Sequence, residues 1–229
     1  MILAIDTSTR SLSMALAGAS GKSIRETFLV NEQPRHSAQL FRMLSKTTGK
    51  TSLKELTKIA CTTGPGSFTG IRTGLCMART ISQSRGIPLV GVSTLDVLAH
   101  QSQENTNKYG YFICPLIPAQ QENVFLAVYK SGKIKRLSAY SVININEIKI
   151  FFKRNSINSK HKIFFTGEGA VKYRNLLISF FPDCAMPASS DKSFPRASTL
   201  AFIAASQKGT AFRNVLPSYI QQPRIFKKS

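Results

Sequence analysis

The segment GPGSFTGIRTGLCMARTI, residues 64–81, constrains what this 229-residue chain can fold into more than any other stretch. It follows an apolar run around Ile59–Thr62 that reads as a strand. Its periodicity predicts a long helix through about Gln83, closed by Gly86. No lysine follows the second glycine in the frame of a Walker A loop, so that phosphate loop is excluded. The free amides of such a helix N-terminus can still hold an anion, with Ser67 or Thr69 as the cap. Gly66, Gly70, Gly74 and Ala78 recur every four residues and line one stripe with small side chains, flanked by Phe68, Ile71 and Leu75. A glycine inside a helix costs ~1 kcal/mol relative to alanine, so the stripe implies that something approaches the helix closely. That something is either the rest of its own lobe or a helix of a partner.

The flanking sequence supplies the frame. Residues 1–5, 12–17 and 23–30 read as strands separated by turn signals, and Leu40, Phe41 and Leu44 share one face of a helix over 37–46. Pro88–Val92 reads as a strand, followed by a helix capped by Ser93 or Thr94 and running to Gln101. The polar stretch 102–110 divides the chain into an N-terminal unit, 1–105, and a divergent, basic C-terminal unit, 106–229. In the second unit, Phe112–Ile117, Val124–Tyr129, Ile134–Val142 and Ile163–Thr166 read as strands. Helices are predicted near 145–154, 170–179 and 197–207. Strands that first form hairpins and then alternate with helices, in both halves, predict an α/β lobe with a mixed sheet made twice.

Composition narrows the class. A hydrophobic fraction of 42% supports a core and excludes a mainly disordered chain, and the longest apolar runs fall short of the ~20 residues of a membrane helix. The net charge of +20 is uneven: 12 Lys/Arg oppose 6 Asp/Glu in residues 1–105, against 19 and 5 in residues 106–229. Such a surface attracts polyanions, although a lysine-rich proteome yields the same excess. Cys61, Cys76, Cys114 and Cys184 are scattered and read as free thiols packed as small hydrophobes. With no basic and apolar export signature in MILAIDTSTR, a cytoplasmic protein is expected. His36, His100 and His161 stand apart, outside any metal-ligand spacing.

Asp6-Thr7-Ser8-Thr9, at the end of the first apolar strand, is the second candidate site. A carboxylate with hydroxyls and free amides can orient a hydrated Mg²⁺ ion and cradle a phosphate, or simply form Asx and ST turns.

Four blocks taken together, ILAIDTS (2–8), RHS (35–37), GPGSFTGIRTGL (64–75) and PLVGVSTLDVLA (88–99), resemble the TsaB (YeaZ) family. These are bacterial accessory proteins of tRNA threonylcarbamoyladenosine (t6A) formation. TGEGA (166–170) and PSYIQQPRIFKK (217–228) add weaker matches. The resemblance implies the two-lobed ASKHA fold of actin and Hsp70, with a degenerate nucleotide site marked by Asp6, Thr7 and Ser8. It also implies a non-catalytic role. Family members pair with the catalytic paralogue TsaD through helices of the N-terminal lobe, and the TsaE ATPase binds that pair. TsaD then transfers the threonylcarbamoyl group to adenosine 37 of tRNAs that read codons starting with A. On this view the pairing surface comprises His36, Leu40, Gly70, Ile71, Arg72, Gly74, Leu75 and Ala78, and Gly74→Leu would abolish pairing in a folded chain. Without TsaD the same face would form a homodimer. The chain itself would require no cofactor, ATP or ADP and Mg²⁺ being a matter for the interface of the complex.

The family commonly has a D-A-R-x-G-E-V-Y-type segment where this chain reads Pro118-Ala119-Gln120-Gln121-Glu122-Asn123-Val124-Phe125. Losing the glycine and the arginine removes close backbone approach and charge pairing at the second phosphate loop. Two rival readings stay open on the residues: an ASKHA-type ATP-binding enzyme acting alone through Asp6, and a basic tRNA-binding module built on the second half.

Overall fold

A computed structural model describes residues 1–30, 36–106, 110–157, 161–187 and 189–220. The first sheet is built from β1 (Ile2–Asp6), β2 (Ser11–Ala17) and β3 (Ser23–Val30). After α1 (His36–Thr48) come β4 (Lys58–Gly64), α2 (Phe68–Arg85), β5 (Leu89–Ser93), α3 (Thr94–Gln101) and α4 (Gln103–Thr106). Its strand order is β3-β2-β1-β4-β5, with β1–β3 an antiparallel meander and β4 and β5 parallel to β1.

The second sheet repeats that plan. It uses β6 (Phe112–Pro118), β7 (Asn123–Leu126), β8 (Tyr129–Lys130), β9 (Lys135–Arg136) and β10 (Ser141–Asn144). These are followed by α5 (Ile148–Arg154), β11 (Ile163–Thr166), α6 (Glu168–Lys172), α7 (Arg174–Phe180) and α8 (Ala197–Ala205). β6 pairs antiparallel with β7 and β8, β7 pairs antiparallel with β10, and β11 runs parallel to β6. Two mixed sheets of matching connectivity make this the actin-like, ASKHA-type α/β architecture. The reading of Ile134–Val142 as one strand is corrected. The chain breaks into β9 and β10, because the Leu137 amide donates to the Val128 carbonyl and the Ser138 hydroxyl accepts from the Val128 amide.

Continuous apolar runs such as ILAI arise because the first sheet is covered on both faces, and side chains alternate between them. Leu3, Ile5, Leu12 and Met14 pack against Leu40 and Met43 of α1 and Leu75 and Ala78 of α2. Ile2, Ala4, Ala15, Ala17 and Ala60 face Ala197, Leu200, Ala201 and Ala204 of α8. Alanines on both sides of that contact let helix and sheet close on each other. Lys58 completes it, its ammonium donating to the carbonyls of Ala204 (2.8 Å) and Gln207 (2.8 Å) at the C-terminal end of α8.

α8, which the division at 105/106 assigns to the C-terminal unit, therefore packs on the first sheet, and Val215 joins the core of that lobe. Between the sheets, α3 gives Val97 to the α8 side of the first and Leu95, Leu98 and Ala99 to a cluster with Ile113, Ile117 and Tyr129 of the second.

β6 turns into β7 through a tight hairpin in which the Asn123 amide donates to the Gln120 carbonyl (3.1 Å). Its two central residues, Gln121 (φ 54°) and Glu122 (φ 57°), both occupy the left-handed region that glycine and asparagine favour. The altered 118–125 segment is thus a closed two-residue turn in strained backbone. Glu122→Gly is expected to raise unfolding free energy by ~0.5–1 kcal/mol in urea titration. Leu200→Ala, on a fully buried side chain, is expected to lower it by ~2–5 kcal/mol and to loosen the first sheet, read as faster amide exchange in β1 and β2.

Candidate functional site

The end of β1 and the start of α2 form one packed unit. Ser67 caps α2 by accepting from the Gly70 amide (3.2 Å), and its own amide donates to the Ser8 carbonyl (2.7 Å). The Thr7 hydroxyl donates to the Gly70 carbonyl (2.6 Å). A Cβ on Gly66 or Gly70 would overlap the backbone carbonyl of Ser8 or Thr7, and one on Gly74 would overlap the Thr7 side chain. The small-residue stripe is thereby explained from within the chain: it admits the β1–β2 turn. Gly70, Ile71, Gly74, Leu75, Ala78 and Leu40 are all buried, so they do not line an open pairing surface, and of that set Arg72 is exposed. The His36 side chain lies outside the described residues.

Asp6, Thr7 and Ser8 are likewise turned inward, with at most 1% of their surface exposed. The Oδ1 atom of Asp6 accepts from the Ser8 hydroxyl (2.6 Å) and the Thr62 hydroxyl (2.7 Å), while Oδ2 is buried with no partner. Burial pushes the Asp6 carboxyl up to about 6 against the pull of those hydroxyl bonds, and Glu168 adds to the rise. With the turn sealed beneath Gly66 and Ser67, these residues as packed do not fit a phosphate or its hydrated Mg²⁺ ion.

The second lobe mirrors this arrangement. Gly167 (φ 89°) and Gly169 open α6 pressed against the backbone carbonyl of Leu116, as Gly66 and Gly70 press on Ser8 and Thr7. Arg10 Nε in the β1–β2 turn donates to Glu168 Oε1 (2.5 Å), so the two glycine-led turns are joined across the lobes. Sequence reading passes over this pair because 158 residues separate its members.

The outward face of α2 carries what remains accessible. Arg72 sits over the Phe68 ring (4.4 Å from its centroid), and Phe68 stacks on Tyr219 (5.2 Å between centroids). The tail that brings Tyr219 there is held by the Ser218 amide donating to the Thr63 carbonyl (2.7 Å) and by Arg79 donating to the Val215 carbonyl. On neighbouring α1, Phe41 is 73% exposed. Cys76 is exposed on α2, correcting its assignment to the interior, whereas Cys61 and Cys114 are buried and Cys184 half-buried. Among the described residues, no group of His, Cys, Asp and Glu has metal-binding proximity and no helix is long and apolar enough to cross a membrane.

Asp6 keeps its proton in the folded chain at pH values where the unfolded carboxyl has lost it. Stability therefore falls as pH rises from about 4 to about 6, by ~3 kcal/mol from this group. Asp6→Asn is expected to flatten that slope in urea titrations. Gly74→Leu forces a side chain into Thr7 and is expected to destabilise the fold by ~1–3 kcal/mol or more, lowering the melting temperature before any partner is added.

The comparisons with known proteins agree with this architecture. A family model described as "TsaD: tRNA N6-adenosine threonylcarbamoyltransferase" matches residues 31–225. The tRNA threonylcarbamoyladenosine biosynthesis protein TsaB of Buchnera aphidicola subsp. Schizaphis graminum is 30% identical over 179 residues, covering 76% of this chain and 81% of that protein. YeaZ from Pseudomonas aeruginosa superposes with a TM-score of 0.77 at 23% identity, over 95% of this chain and 98% of that one. Component A of (R)-2-hydroxyglutaryl-CoA dehydratase from Acidaminococcus fermentans shares the fold more distantly, with a TM-score of 0.50 at 8% identity over 90% and 99% of the chains. With its two glycine-led turns and an identity of 30% over most of its length, this chain belongs to the TsaB (YeaZ) family of t6A biosynthesis proteins.

Proposed function

We propose that the chain is the non-catalytic scaffold subunit of the assembly that forms N6-threonylcarbamoyladenosine at position 37 of tRNAs reading codons that start with A. It pairs with TsaD and the pair recruits TsaE. The sealing of the β1–β2 turn by the start of α2 carries this reading. The carboxylate that an ASKHA enzyme would offer to a metal and phosphate is buried here, its Oδ1 accepting from the Ser8 and Thr62 hydroxyls, and the start of α2 packs over the turn that carries it. The pairing surface follows from the same geometry. Because Leu40, Gly70, Ile71, Gly74, Leu75 and Ala78 face inward, the partner meets the opposite faces of α1 and α2, where Phe41, Arg42, Phe68, Arg72 and Cys76 are exposed. Exposed aromatics in such a patch gain by being covered. In the absence of TsaD, a second copy of the chain covers the same patch. The tRNA is the substrate of the assembly, and the excess positive charge of residues 106–229 helps gather it by long-range attraction.

The test is co-purification of tagged chain with TsaD. Phe41→Glu combined with Arg72→Glu places like charges on an exposed face and leaves the core untouched, so the melting temperature is expected to hold. Recovery of TsaD should fall at least tenfold. Undiminished recovery of TsaD, or threonylcarbamoyl transfer by this chain without TsaD, overturns the reading.

A further inference from the structure

The outer side of the second lobe carries a cluster of cations that the pairing surface does not use. α5, α6 and α7 turn Ile148, Phe152, Ala170 and Leu177 into a core cluster shared with Cys114 of β6, Val124 of β7 and Phe165 of β11. Their outward sides carry Lys149, Lys153 and Arg154 on α5, Lys172 on α6 and Arg174 on α7, all exposed. The helices adjoin, because the Lys149 ammonium lies over the Phe180 ring of α7, 4.5 Å from its centroid. Lys149 and Lys153, four residues apart, are neighbours on one side of α5. Glu147 and Asp183 flank these helices in sequence, and among the described residues neither forms an ion pair with any of the five cations.

The surroundings of these cations select among polyanions. The apolar sides of α5, α6 and α7 are already packed on the sheet, so no amphipathic face is left to enter a bilayer. Ile150, Val171 and Ile178 are exposed, one on each helix, as ordinary surface aliphatics. The aromatic rings of these helices are buried or half-buried, Phe180 beneath Lys149 and Tyr173 beneath Lys172 (4.8 Å to its centroid), so none stands out for bases to stack on. Unpaired cations without stacking rings suit phosphate contacts, which register charge and helical shape rather than base sequence. We infer that the outer face of α5, α6 and α7 is an RNA-docking surface that grips the phosphate backbone of a paired tRNA stem. The inference rests on the reading of tRNA as the substrate of the assembly, and it adds a place of direct contact to the long-range attraction of residues 106–229.

The experiment measures fluorescence anisotropy of a labelled, unmodified tRNA transcript and of labelled oligouridine with the full chain, across a range of NaCl concentrations. One variant combines Lys153→Gln, Lys172→Gln and Arg174→Gln. A charge-matched control combines Lys46→Gln, Lys50→Gln and Lys54→Gln, exposed on the first lobe. All six side chains are exposed, so melting temperatures are expected to hold, and Lys149→Gln with Arg154→Gln tests the same face independently. The first variant should bind tRNA at least tenfold more weakly than the unaltered chain, and the control within threefold of it. Each phosphate contact contributes ~0.7–0.9 to the slope of log affinity against log salt, so the slope should become shallower by about 2 to 3. Oligouridine should bind at least tenfold more weakly than tRNA. TsaD should co-purify undiminished with the first variant; if the unaltered chain recovers no TsaD, the pairing reading fails while the tRNA result stands. Equal weakening in variant and control, no tRNA binding at low salt, or oligouridine bound as tightly as tRNA overturns the assignment. So does retention by phosphatidylglycerol vesicles that the first variant abolishes while its tRNA binding is unchanged.

Discussion

The close approach of Gly66, Gly70 and Gly74 to the backbone of Thr7 and Ser8 is the constraint on which the first lobe depends. A β-carbon at any of the three would drive α2 off the end of β1. With α2 would go its buried stripe of Ile71, Leu75 and Ala78, of which Leu75 and Ala78 sit in the core beneath the first sheet. The intrinsic helix penalty of two internal glycines is thus offset by hydrogen bonds from Ser67 to Ser8 and from Thr7 to Gly70, which a bulkier helix could not make. The second lobe solves the same problem with Gly167 and Gly169 against Leu116. Repetition of the device at equivalent points of two sheets gives the chain its duplicated plan.

That constraint reshapes the function that the fold supports. In an ASKHA enzyme the strand ends of the two lobes face a shared cleft that receives nucleotide. Here the start of the helix following β4 packs over the first strand end, and burial raises the Asp6 carboxyl above its ordinary value. Arg10 and Glu168 still bridge the two lobes. Aromatic and cationic side chains, Phe41, Arg42, Phe68 and Arg72, stand exposed on the outer faces of α1 and α2.

Much of the fold was legible in the sequence. The MILAI run, the Ser-capped helix starts, Gly86 and the cysteine-bearing strands each announce themselves within a window of a few residues, because strand burial, capping and left-handed closure are local in cause. Ile134–Val142 misled because a turn signal at Ser131-Gly132 followed by a largely apolar stretch reads as a hairpin strand, while a single serine hydroxyl, Ser138 accepting from the Val128 amide, diverts the ladder. The stripe on α2 misled differently. Spacing established that a close approach exists, and Thr7, more than sixty residues earlier, turned out to be what approaches. The contact of α3 with the second sheet had no local signature at all: Asp96 accepts from the Tyr129 and Tyr140 hydroxyls only when α3 is laid across that sheet.

The sequence by itself determined the order and type of the elements, the family and the need for a glycine-lined approach to α2, since periodicity, turn chemistry and steric demand are written residue by residue. The tertiary structure alone decided which way α2 is rotated about its axis, and so whether Gly70 and Gly74 serve a partner or the chain's own first strand. It also decided that α8 returns to the first sheet and that Asp6 is sealed from solvent. The rotation of a helix and the closure of a turn are set by long-range packing, in which small differences in buried area outweigh any local preference.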